Sequence, residues 1–130
     1  MSHVQDKLIG SVPSRIVDVA RLLVTPYEGR VAEYNIATWL HLPGLANLPV
    51  SLLVSYRDGD KRREVNVDHG KVNAHGKILL SGIARMPVRQ KIEDMQVRLR
   101  SAVPAQSLVV EEFFVQAVEL AISESRQAMA

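Results

Sequence analysis

Apolar and polar residues alternate along most of this chain. Over residues 50–57, Val50, Leu52, Val54 and Tyr56 share one parity, while Ser51, Leu53, Ser55 and Arg57 share the other. A period of two carried by β-branched and aromatic side chains predicts a half-buried strand. Asp58-Gly59-Asp60 follows. Glycine there supplies the positive φ of a tight hairpin, so the alternation that resumes at Val65 and Val67 predicts the returning strand.

The same pattern recurs on both sides. Residues 31–42 place Tyr34, Ile36, Thr38, Leu40 and Leu42 on one face. Trp39 has the opposite parity, so either a bulge turns it inward or it covers an outer face. Prolines and a glycine mark 43–49 as a loop. Residues 77–86 predict a strand interrupted by Gly82, the signature of a bulge or of close backbone approach. Met95, Val97 and Leu99 alternate with Gln96, Arg98 and Arg100, and residues 107–116 predict the last strand.

The two ends read differently. Ile16, Val19, Ala20 and Leu23 fall at helical spacing behind Ser14, a possible cap, yet the run is rich in valine, isoleucine and leucine and closes on Pro26. A strand is favoured there. Ala117, Val118, Ala121 and Ile122 form a narrow helical stripe, which predicts a short C-terminal helix. About seven short strands at regular turn spacing indicate an all-β antiparallel sandwich of immunoglobulin or fibronectin-like type. The alternative is an α+β arrangement, an antiparallel sheet flanked by N- and C-terminal helices. The expected division is an N-terminal arm over 1–12, one sandwich domain over 13–118 and a helical tail over 119–130.

Composition narrows the class. The chain has 130 residues, of which 47% are hydrophobic and 23% charged, as in a globular domain. It has no cysteine, which excludes disulfides and thiolate chemistry. The polar N-terminus lacks the apolar core of a signal peptide, and no run approaches the length of a membrane span, so a cytoplasmic location is expected. Net charge is only +2, but it is segregated: residues 56–100 carry eleven basic and six acidic side chains, residues 101–130 one basic and four acidic.

No catalytic constellation emerges. Phosphate-loop, dinucleotide and zinc-helix motifs and the Gly-x-Ser-x-Gly elbow are all absent, and no catalytic, cofactor-binding or metal residue is assigned. His69-Gly70-Lys71 and His75-Gly76-Lys77 echo each other near Asp68, but an extended segment separates the two rings by about 20 Å. They meet only if the chain folds back at Asn73 and Ala74. Glu111 and Glu112 are neighbours in a strand and point to opposite faces unless a bulge intervenes.

Two surfaces remain. Arg57, Arg62, Arg63, Arg98 and Arg100 form a basic set that fits an anion such as nucleic acid or a nucleotide. Glu111 or Glu112 is expected to pair with Arg98 or Arg100 across the ladder, and the six aromatics offer little stacking surface. The last strand stands out more. Val109, Val110, Phe113 and Phe114, with Val118 beyond, place apolar bulk on both parities, which a half-exposed strand does not do. The expected function is therefore a non-enzymatic protein–protein interaction module, a homodimer through this strand, with an anion-binding regulator as the alternative.

Overall fold

The computed structural model describes residues 5–104 and 107–118. Eight strands follow one another: β1 (Gln5–Ser11), β2 (Leu23–Thr25), β3 (Gly29–His41), β4 (Pro49–Asp58), β5 (Lys61–Lys71), β6 (Lys77–Pro87), β7 (Ile92–Ser101) and β8 (Val109–Ala117). One helical turn, α1 (Ser14–Val17), lies between β1 and β2, and a 3-10 turn spans Pro43–Leu45. Every pairing is antiparallel. Sheet A has the order β1-β7-β4-β5. In sheet B, β3 takes β6 along one edge, and β2 and β8 in succession along the other.

The chain is an antiparallel β-sandwich, and its alternating residues explain why. Tyr34, Ile36, Leu40, Leu80, Ala84 and Met86 from sheet B meet Val50, Leu52, Val54, Tyr56, Met95, Val97 and Leu99 from sheet A in one buried cluster. Gly59, with φ at 68°, makes the β4–β5 hairpin as expected. An immunoglobulin sandwich sets ABED against CFG. Here the first strand lies beside the seventh and the third beside the eighth, an order that local alternation does not encode.

The sandwich is closed along one side and open along the other. On the closed side β5 bulges at Val67, where the register against β4 shifts. The Asp68 carboxylate there accepts the amides of His69 at 2.8 Å and of Ser81 in β6 at 2.9 Å. Gly82 faces the same bulge so closely that a Cβ would stand 2.6 Å from the Val67 carbonyl oxygen. On the open side, β1 and β8 each pair with a single strand. The ring of Phe113 lies against Gly10 there and bridges the two sheets.

Three expectations are corrected. The strand favoured over 14–25 forms only at its end, as β2 (Leu23–Thr25); ahead of it Pro13 caps α1 at φ −68°, and Ser14 makes no side-chain cap. The turn carries Val17 into the core, and its carbonyl accepts the buried Tyr34 hydroxyl at 2.8 Å. Residues 5–11, read as part of an arm, are β1, because the β7 edge needs a partner and Arg100 binds Asp6 there. Ala117, the start of the expected helical stripe, ends β8 instead. The remainder of that helix, within 119–130, lies outside the described residues. Among the described residues no helix is long and apolar enough to cross a membrane.

Candidate binding surfaces

On the outer face of sheet A the arginines meet carboxylates. Arg100 contacts Asp6 at 2.7 Å and Glu64 at 2.8 Å, Arg62 contacts Asp94 at 2.7 Å, and Arg57 contacts Glu93 at 3.3 Å. The Arg100 guanidinium holds the Asp6 carboxyl below its ordinary pKa, Arg62 does the same for Asp94, and Asp6 and Glu64 raise Arg100. Arg98 donates to Gln96 at 2.9 Å. Leu53, outward by parity and opposite Arg98, is nonetheless fully buried beneath this layer. Arg63 sits apart, its Nε 3.0 Å from buried Asp58 but off the line of a good hydrogen bond. Arg57, Arg62, Arg98 and Arg100 thus form one paired layer, and four of the five arginines stand on carboxylates.

The acids that pair with them were not the ones expected. β8 belongs to sheet B, so Glu111 and Glu112 cannot reach Arg98 or Arg100. The β3–β8 register shifts between Trp39 and Leu40, leaving Glu111 as the extra residue of a bulge. Glu111 then takes Lys77 of β6 at 3.1 Å, across the intervening His41. The bulge puts both glutamates on the outer side of sheet B, the exception that their adjacency in sequence allowed.

The histidine echo is divided between β5, which holds His69, and the turn after it, which holds His75. Asn73 Oδ1 accepts the amides of His75 at 2.8 Å and of Lys77 at 2.9 Å, which fixes the chain reversal between β5 and β6. Among the described residues no group of three or more histidines and carboxylates is placed to hold a metal ion.

The outer face of sheet B is different in kind. Trp39 lies between Leu79 of β6 and Glu112 of β8, and Phe114 is opposite Ala37 one step along. Trp39 is 41% exposed and Phe114 52%. With Ala37 as a small floor, Leu79, Trp39, Glu112 and Phe114 line a shallow groove of about 420 Å³. Trp39 therefore covers an outer face and is not rotated inward. Trp39 stands out in the sequence by its parity, but its company with Leu79 and Phe114 depends on the β6-β3-β8 order. Phe113 points inward onto Gly10, and Val109 is 49% exposed at the start of the strand. The apolar residues on both parities of β8 are thus placed on its two faces, and its far edge carries no strand among the described residues.

The class these observations define is an antiparallel β-sandwich whose edge strand β8 has no second strand paired to it among the described residues. No family model and no curated protein sequence matches the chain. Two solved structures are similar in fold. One is the CBM22-1 xylan-binding domain of Paenibacillus barcinonensis Xyn10C, at 18% identity and a TM-score of 0.55, over 79% of this chain and 61% of that one. The other is the CBM22-1–GH10 portion of Clostridium thermocellum xylanase 10B, complexed with xylohexaose, at 14% identity and a TM-score of 0.53. That match covers 68% of this chain and 17% of the xylanase chain.

Proposed function

We propose that this protein is a non-enzymatic binding module that works through β8 and the outer face of sheet B, and that it associates with a second copy of itself. The observation that carries this reading is β8: a nine-residue edge strand, apolar on both faces, with no second strand paired to it among the described residues. Such an edge is a template for another strand, and native proteins blunt it, cover it or pair it. Static light scattering at micromolar concentration is expected to give a dimer mass, and Phe114→Asp to shift it to monomer. A monomeric parent whose variant behaves identically refutes self-association.

A second reading concerns a small ligand. The groove joins an indole and a phenyl ring to a carboxylate, which suits a sugar: C–H faces pack on aromatic rings while hydroxyls donate to Glu112. The fold likeness to a xylan-binding domain supports this reading. Trp39 is the sole tryptophan, so its emission reports directly on the groove. Titration with xylo-oligosaccharides is expected to change that emission, and Glu112→Ala to weaken binding about tenfold or more, as for a lost charged hydrogen bond. Unchanged emission at millimolar sugar refutes it.

A further inference from the structure

We infer that two copies join β8 to β8, antiparallel, about a two-fold axis at Val115. This register rests on the self-association proposed above and adds its geometry. The Val118 amide donates to the Glu33 carbonyl of β3 at 2.9 Å, one step beyond the Tyr34–Ala117 pair. In an antiparallel ladder alternate residues turn both backbone groups toward the same neighbour. Phe114, Gln116 and Val118 thus bond β3, and Phe113, Val115 and Ala117 turn their N–H and C=O groups to the far edge, where no strand is paired among the described residues.

The upstream half of β8 is guarded. It holds the bulge at Glu111 and two adjacent carboxylates, both devices that discourage edge pairing. The segment from Phe113 to Ala117 has neither bulge nor charge. A two-fold at Val115 sets Phe113 against the partner's Ala117, Val115 against the partner's Val115, and Phe114 against the partner's Gln116. Every free backbone group in that segment then finds a complement. The two Phe114 rings become diagonal neighbours on one continuous outer face, within aromatic reach. Moving the axis to Phe114 would set Ala117 against the bulge and lose its bonds, and moving it to Phe113 would bring Glu111 opposite the partner's Val115.

The absence of cysteine makes the register directly testable. Residues facing each other in a hydrogen-bonded antiparallel pair have Cα atoms about 5.5 Å apart, within disulfide range. Under mild oxidation Val115→Cys is expected to run as a covalent dimer on a non-reducing gel, and Val109→Cys, at the guarded end, to stay uncrosslinked. A spin label on exposed Gln116→Cys, which leaves the inner face untouched, is expected to broaden through a twin about 8 Å away. A dimer by light scattering with neither crosslink nor broadening overturns the register while leaving self-association intact. A monomer in light scattering overturns both.

Discussion

Asp58 ends β4 with its carboxylate turned into the protein and only 3% of the residue exposed. It accepts the amides of Arg89 and Gln90, both at 2.8 Å, and lies beside Arg63. Burial is the largest single influence and pushes its pKa up, but the backbone donors and Arg63 together outweigh it and leave the carboxyl below its usual value. Asp6 and Asp94 are also lowered, by Arg100 and Arg62. A folded pKa below the unfolded one means stability that is complete above the ordinary carboxylate range and is lost as pH falls through the folded values. Urea midpoints are therefore expected to hold from neutral pH down to about 5 and to drop steeply below about 4. Asp58→Ala strands two amides and a guanidinium. It is expected to cost about 2–4 kcal/mol at pH 7 in the same assay, and to flatten the acid limb. Local residues marked Asp58 as a turn-former. Its binding of the β6–β7 connection depends on a chain reversal some thirty residues away and has no local signature.

Among the elements, β5 and β6 show how far periodicity carries. The interruption at Gly82 was legible as a bulge or a close approach, and the structure supplies the second: Gly82 gives way to a bulge that lies in β5, at Val67. Which strand bulges was not legible, since Val67 continues the alternation without a break. Gly82→Val should drive a side chain into the Val67 carbonyl and cost about 2 kcal/mol or more, read from the denaturation midpoint. Gly44→Ala, where nothing lies within 4 Å, is the matched control and should stay within about 0.5 kcal/mol. The segment 14–22 misled for the opposite reason. Its β-branched residues favour a strand locally, but a turn starting at Pro13 delivers Val17 to Tyr34 instead. Propensity lost to tertiary demand.

For the whole molecule, five of the eight strands, β3 to β7, were legible from alternation, together with the Asp-Gly hairpin, and β8 from its apolar run. Strand order was not. Each strand reports which of its faces is apolar and is silent about its neighbours. That silence hides the true partners of Arg98 and Arg100, and the single surface that Trp39, Leu79 and Phe114 share. The two-sided apolar character of β8 was visible because it violates the pattern that the other strands obey. The interleaved order also governs when the fold can form. During synthesis β3 emerges early, but the strand that completes its second edge is β8, some seventy residues later, and β1 likewise waits for β7. Loops of that length make for slow closure. Until β8 arrives, the hydrophobic face of β3 stands beside a vacant place, and any other extended chain, including β8 from a neighbouring copy, can compete for it. The strand proposed to join two finished molecules would then also be the one exchanged between two unfinished ones, so refolding yield should fall as protein concentration rises.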